Sequence, residues 1–191
     1  VRHRLATIAF FALLAPGALA AQASPPPPDM SLLAAAGVVF PERLGGFDRV
    51  EVRGNGPGQV AATYIAPSQI AGDPVVTILI SRAVISAAVE LAQTEASIGG
   101  DGRRVTTVRD LPAPRGAPGA VGRLWRLDET RGAALIGAVI WHRDGWRIKI
   151  RGVVSAASGD VGWAEVQRLI DTFDWGGARA TEGESARPAA G

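Results

Sequence analysis

The sequence predicts an α+β domain: a mainly antiparallel β-sheet flanked by two main helices. Three observations lead there. Through most of residues 47–151 the apolar residues recur at every second position, the period of half-buried strands. The links between these runs are short and turn-rich, as at Gly54-Asn55-Gly56-Pro57-Gly58 and Asp144-Gly145, and such links join antiparallel neighbours. Only two long segments, one beginning near Ile85 and one near Asp160, change to a helical period. Strands, helix, strands, helix is the order of an antiparallel sheet with helices packed on its faces.

The N-terminus stands outside this pattern. Arg2, His3 and Arg4 precede an unbroken apolar run from Leu5 to Leu14, which Pro16-Gly17 ends. Two small-residue patterns follow, Ala18-Leu19-Ala20 and Ala21-Gln22-Ala23. This is the order of parts in a secretory signal peptide, expected over residues 1–23 with cleavage after Ala20 or Ala23. The apolar stretch to Ala15 is 11 residues long, against about 20 for a membrane-spanning helix. With no cysteine in the chain, a lipoprotein anchor is not expected. The expectation is a periplasmic or secreted product without a transmembrane segment.

Residues 24–36 follow as a spacer and a short helix. Ser24 to Pro28 is a stiff polyproline stretch. Asp29 is placed to cap a helix over 29–36, with Gly37 as its stop. A single domain is then expected over residues 37–175. Residues 176–191 hold Gly, Ala, Pro, Glu and Arg with no apolar period and are expected to form a disordered tail.

Within the domain, Phe47 to Val52 and Val60 to Ile65 read as a hairpin. Pro74 to Ser81, nearly continuous in β-branched and aliphatic residues, reads as a central strand. In the first long helix Ile85, Ala88, Val89, Ala92 and Ala96 share one face, with Glu90, Gln93 and Thr94 opposite and Gly99-Gly100 as the stop. Strands resume over 104–111, 121–127 and 135–143. Asp144-Gly145 between alternating runs predicts a two-residue type I′ turn. That turn sets Arg143 opposite Trp146, Trp141 opposite Ile148, and Val139 opposite Ile150. One face then carries Val139, Trp141, Trp146, Ile148 and Ile150 as core. The other carries Ile136, Ile140, His142, Arg147, Lys149 and Arg151. In the last helix Asp160 is the expected cap. Val166, Leu169, Ile170 and Phe173 form the buried stripe, Glu165 and Arg168 pair outside, and Trp175 closes the domain.

Charge excludes some functions. Arg2 and Arg4 lie in the leader, which has no acid, so 18 of the 20 basic residues remain against 18 acids. A nucleic-acid binder driven by charge would carry a surplus, so nucleic acid is not an expected partner. Nineteen of the basic residues are Arg, and Lys149 is the single lysine.

The usual catalytic constellations are missing from the sequence. Beyond the leader the one histidine is His142, expected at the solvent-exposed end of a hairpin strand beside Arg147. Without further His or Cys, no metal site of the zinc or copper type is expected. No Gly-x-Ser-x-Gly elbow surrounds any serine, and no Walker-type Lys-Ser/Thr follows a glycine loop. The 54–58 loop leads into a strand and Pro57 lacks an amide donor, so it does not cradle phosphate. Asp128-Glu129 is expected to open a turn. Catalytic residues, metals and cofactors are therefore all expected to be none. Of the tryptophans, which could stack on carbohydrate, Trp141 and Trp146 are expected in the core.

Two segments carry a resemblance. Phe40-Pro41-Glu42-Arg43-Leu44-Gly45-Gly46-Phe47 and Gly145-Trp146-Arg147-Ile148-Lys149-Ile150-Arg151 resemble the opening segment and the penultimate-element strand of small bacterial exported proteins of unknown role. The element order over about 38–175 resembles the Mog1/PsbP-like α/β/α sandwich. The resemblance implies an accessory or assembly role and carries no catalytic residues.

The feature left over is the Arg147, Lys149, Arg151 stripe with His142 beside it. In a sheet covered on both sides these cations need acids such as Glu90, Glu95 or Asp171, or an anionic ligand. They are the candidate ligand- or partner-binding residues. The expectation is a non-enzymatic periplasmic accessory protein that engages a protein partner. The alternative is a carrier of a small ligand or lipid in a groove between sheet and helix.

Overall fold

The computed structural model describes residues 27–67, 70, 72–100, 103–129 and 132–175. The predicted leader with its cleavage sites, most of the proline spacer and the predicted tail lie outside the described residues. The elements, in chain order, are α1 (Met30–Ala36), β1 (Arg43–Leu44), β2 (Phe47–Gly54), β3 (Gln59–Ile65), β4 (Val75–Arg82), α2 (Ala87–Ile98), β5 (Arg104–Leu111), β6 (Val121–Glu129), β7 (Gly132–Arg143), β8 (Trp146–Ser155) and α3 (Gly159–Thr172). Among the described residues, eight strands form one sheet in the order β1-β2-β3-β4-β8-β7-β6-β5, and every neighbouring pair is antiparallel. The α+β class is thus as the sequence predicts.

Two meanders make up the sheet. The first, β1 to β4, and the second, β5 to β8, each join neighbours in sequence. A single non-local ladder, β4 with β8, seals them, and it pairs Val75 with Val153 and Arg82 with Trp146. Each meander is set by its turns. At the tip of β7–β8, Asp144 and Gly145 have φ of 51° and 76°, the positive pair that a type I′ turn requires. The register that follows is the predicted one: Arg143 with Trp146, Trp141 with Ile148, Val139 with Ile150.

One face of the sheet is dry. α1 and α3 cover it over Phe47, Tyr64, Ile78, Ile80, Val139, Trp141, Ile148 and Ile150, all buried. α1 starts where predicted, with the Ser31 N–H donating to Asp29 Oδ1 at 3.1 Å, and ends at Gly37 with φ 64°. α3 buries Val166, Leu169, Ile170 and the following Phe173, the predicted stripe. Glu165 and Arg168 pair on its outer side. Trp175 lies edge-on to Trp141 and Phe173 and donates its Nε1–H to Ile170 O at 3.0 Å.

A notch in the sheet sets how close α3 comes. Gly137 and Gly152 face each other on β7 and β8. A Cβ on Gly137 would lie 2.0 Å from Cη2 of Trp163, and one on Gly152 would lie 2.4 Å from Val166 Cγ1. Two adjacent residues without side chains let the indole of Trp163 sit in the plane where other residues would have their β-carbons.

Three expectations are corrected. Asp160 does not cap α3: a 3-10 turn over Ala156–Ser158 feeds straight into the helix and moves its start to Gly159, with Ser158 in the cap position. Asp160 falls in the first turn and pairs instead with Arg109 at 3.2 Å. Asp128-Glu129 does not open the turn either, because the ladder with β7 continues to the pair Glu129–Gly132.

The third correction concerns α2. Ala88, Val89, Ala92 and Ala96 face solvent, while Glu90, Leu91, Thr94 and Ile98 are buried. The helix is capped by Ser86, whose Oγ accepts from the Val89 N–H at 3.3 Å. Its inner face is half apolar and half polar because the sheet beneath is so. Leu91 and Ile98 meet Trp125, Leu127, Ile136, Ala138 and Ile140, whereas Glu90 and Thr94 meet the cations of β8.

Candidate functional site

The second face of the sheet is only partly covered. α2 packs over β6 and β7, and beside it a groove of about 820 Å³ opens across β3, β4 and β8. Strand register gives the groove its floor. One rung runs Arg53, Ala61, Leu79, Lys149, Ile140, and the next runs Glu51, Thr63, Thr77, Arg151, Ala138. A third carries Ser81, Arg147 and His142. Between its cations the floor of the groove is small or apolar, with Ala61, Thr77, Leu79, Val75 and Val153. Glu90, Gln93, Thr94, Ser97 and Ile98 of α2 form one wall. Arg53, Arg103, Arg147, Lys149 and Arg151 supply five cations, against the carboxylates of Glu90 and Asp73.

Glu90 is the hinge of the charge arrangement. It is 4% exposed, and a buried carboxylate persists only when paired. Its Oε1 stands 3.0 Å from Arg147 Nη1 and 3.4 Å from Lys149 Nζ. Lys149 also donates to Thr94 Oγ1 at 2.7 Å, and Thr94 donates to the backbone oxygen of Glu90 at 2.8 Å. Burial lowers the pKa of Lys149. Glu90 opposes that shift, and the positive charges of Arg147 and Arg151 add to it.

Among the described residues Arg151 has no carboxylate within ion-pair distance. It is solvent-exposed overall, yet it stands in a concave floor, where lost hydration and the neighbouring Arg103 pull its pKa down. Arg53 has its nearest acid, Glu51, at 3.8 Å, and its Nε is buried without a hydrogen-bond partner. Glu90 Oε2, His142 Nε2 and Arg147 Nε are buried without a protein hydrogen-bond partner as well.

The candidate residues read from the sequence fall as follows. Arg147, Lys149 and Arg151 share the face facing α2 and line the groove. His142 is opposite Arg147 but is not solvent-exposed: its side chain is 24% exposed, with Nε2 3.9 Å from Glu90 Oε2. Glu90 in the first turn of α2 stands against it and covers a position that would otherwise be at the surface. Of the three acids considered as counter-ions, only Glu90 serves. Glu95 pairs with Arg123 at 2.9 Å, and Asp171 takes a hydrogen bond from Gln167 on the far side of the sheet. Arg53 and Arg103 were not read from the sequence. The alternation of β2 could have placed Arg53 on this face, but the position of Arg103 depends on the path after α2.

Among the described residues, no serine is brought within hydrogen-bond distance of His142. Ser81 is on the same rung as His142 but two strands away, and it donates to Arg82 O at 3.2 Å. Among the described residues, no group of three or more His, Asp or Glu is placed to hold a metal ion. All five tryptophans are buried and none offers a stacking face. Among the described residues, no helix is long and apolar enough to cross a membrane.

No protein-family model matches the chain, and no curated protein does. Solved structures to which it is similar include cyanobacterial PsbP (CyanoP) from Synechocystis, with TM-score 0.47 and 13% identity over 71% of this chain and 84% of that one. Another is a Pseudomonas aeruginosa protein of unknown function, with TM-score 0.47 and 10% identity over 75% of this chain and 99% of that one. These are likenesses of chain path, and no residue's role is carried over from either.

Proposed function

We propose that this chain is an exported, non-catalytic binding protein whose groove beside α2 holds an anionic small molecule with an apolar body. One observation carries the reading. Five cations line a partly apolar concavity, and among the described residues Arg151, unlike Arg147 and Lys149 beside Glu90, has no carboxylate within ion-pair distance. A volume of about 820 Å³ falls in the range of small-molecule sites, roughly 300–1,000 Å³. The mixed lining matches a ligand with one charged end. Of the two expectations drawn from the sequence, the concavity favours the carrier over the partner-binding surface, because the cations and the apolar residues share one hollow of small-molecule size.

Decyl phosphate is the test ligand, titrated by calorimetry and checked by native mass spectrometry. Binding at micromolar to millimolar concentration, weakened at least tenfold in Arg151→Ala and much weaker for decanol, is the expected result. A wild-type protein that binds neither decyl phosphate nor decanoate would sink the reading. Export is tested separately by N-terminal sequencing of protein recovered from the periplasm or medium. The expected first residue is Ala21 or Ser24.

A further inference from the structure

The chain uses arginine for nineteen of its twenty basic residues, and the exception, Lys149, stands in the groove. For ion pairing with Glu90 a guanidinium would be the better-matched partner, as Arg147 next to it shows at 3.0 Å. What an ammonium offers and a guanidinium does not is a nitrogen that can become a nucleophile. We propose that Lys149 captures carbonyl compounds in this groove as a Schiff base, with Glu90 as proton carrier and Arg151 as the seat of the ligand's anionic group. This inference rests on the groove reading and narrows its ligand to an anion that also bears an aldehyde or ketone.

The geometry supports each part. Lys149 Nζ is held by Thr94 Oγ1 at 2.7 Å and has a carboxylate oxygen, Glu90 Oε1, at 3.4 Å to accept its proton. Arg151 lies two residues along the same strand face, roughly 7 Å away along the strand. An anion seated there places a carbonyl a few bonds distant against the amine. Burial and the flanking arginines favour the neutral amine, the setting in which lysines act as nucleophiles. In the reaction the ammonium passes a proton to Glu90, and the nitrogen lone pair forms a bond to the carbonyl carbon while the C=O π pair moves to oxygen. Protonated, that oxygen leaves as water as the C=N bond forms. Of the three ammonium protons, two depart in the water and one stays on the iminium. No oxidant or further reactant is needed.

The test uses pyridoxal 5′-phosphate, an aldehyde with a phosphate and an aromatic body, trapped with sodium cyanoborohydride and read by intact mass and peptide mapping. The expected result is one reduced adduct, on Lys149, formed at least tenfold faster than on the urea-unfolded chain and suppressed by excess decyl phosphate. Lys149→Arg, with the groove still cationic, should give no adduct in this strand. A wild-type protein that binds decyl phosphate yet is not labelled at Lys149 overturns the covalent step and leaves the groove standing. Labelling no faster than in the unfolded chain also overturns it, because Lys149 would then be an ordinary amine. Failure to bind both decyl phosphate and decanoate removes the groove reading and this inference together.

Discussion

On the α3 face of the sheet, Gly137 and Gly152 leave a gap that Trp163 fills; on the α2 face, the same two strands carry Ala138, Arg151, Lys149 and Arg147 toward a helix that answers them with Glu90 and Thr94. The first face is closed by shape. Its helix lies close because β-carbons are absent, and its buried side chains are almost all apolar. The second face is closed by charge over part of its width and left open over the rest. The lesson is that a strand alternating Gly152, Ile150, Ile148 with Arg151, Lys149, Arg147 can serve a core and a site at once. Fit is demanded of one set and charge balance of the other.

The sharpest way to break the comparison is to fill the notch. Gly137→Ala places a methyl 2.0 Å from the Trp163 ring, and overpacking of this severity costs about 3 kcal/mol. Urea denaturation should show it, with the groove's affinity for decyl phosphate unchanged in the folded fraction. A loss under about 1 kcal/mol would mean that α3 gives way easily and that the dry face is not closed by shape.

On the other face, Glu90→Gln leaves Arg147 and Lys149 partly buried without their acid. Unpairing a buried ion pair costs about 3–5 kcal/mol; with two cations that keep some solvent access, about 2 kcal/mol is expected. Replacing the group as a whole, Glu90→Leu with Arg147→Met and Lys149→Met, should restore wild-type stability or exceed it, while abolishing anion binding. A triple variant as unstable as Glu90→Gln would show that the charges are structural rather than kept for a ligand.

Alkali should act on the two faces with opposite sign. On the dry face, burial pushes the Tyr64 hydroxyl up to about 12 from an ordinary 10.0, and the hydroxyl donates to Pro41 O at 2.9 Å. Its stabilising contribution is whole below pH 10 and is lost as pH climbs from 10 to about 12, because the unfolded chain ionises first. Lys149 is shifted down instead. The unfolded chain holds its proton longer, so stability from this group rises with pH up to the ordinary value of 10.5. Denaturation midpoints of Tyr64→Phe and Lys149→Met across pH 8–12 should therefore part from wild type in different windows. The same slope in both would refute the assignment. The smallest effect is expected from Arg151→Ala, within about 0.5 kcal/mol of wild type, with its whole consequence in ligand affinity.

The dry face was legible in the sequence because one rule governs it. The Asp144-Gly145 turn sets the register of β7 and β8, and alternation does the rest down to Trp141 against Ile148. The stripe Val166, Leu169, Ile170, Phe173 names the inner side of α3 just as directly. The second face misleads because its helix breaks that rule. In α2 the apolar residues Val89, Ala92 and Ala96 lie outside, and Glu90 is buried. The positions Ala87, Glu90, Leu91, Thr94 and Ile98 do have helical spacing, but two of the five are polar. Their burial follows from the cations of β8, some fifty residues away in the chain. The exposure expected of His142 fails for the same reason: Glu90 of α2 stands against a position that is at the surface when the hairpin is considered alone. The tightness of the Gly137–Gly152 notch was not legible either, since it depends on Trp163 arriving from another element.

The single ladder between β4 and β8 has one more consequence. Each meander can form from contacts between neighbours in sequence, and such contacts are fast; joining Ile78 to Ile150 must await both. The groove lies across this join, with Val75, Thr77 and Leu79 from one meander and Lys149, Arg151 and Val153 from the other. An occupant therefore touches both halves, and its binding energy resists their parting. Ligand should lengthen the lifetime of the closed sheet, seen as slower hydrogen exchange at the Ile78 and Ile150 amides, while leaving the Leu111–Gly122 end of the β5–β6 hairpin as it was. The chain would then be read by any protease chiefly at the moments when the groove stands empty.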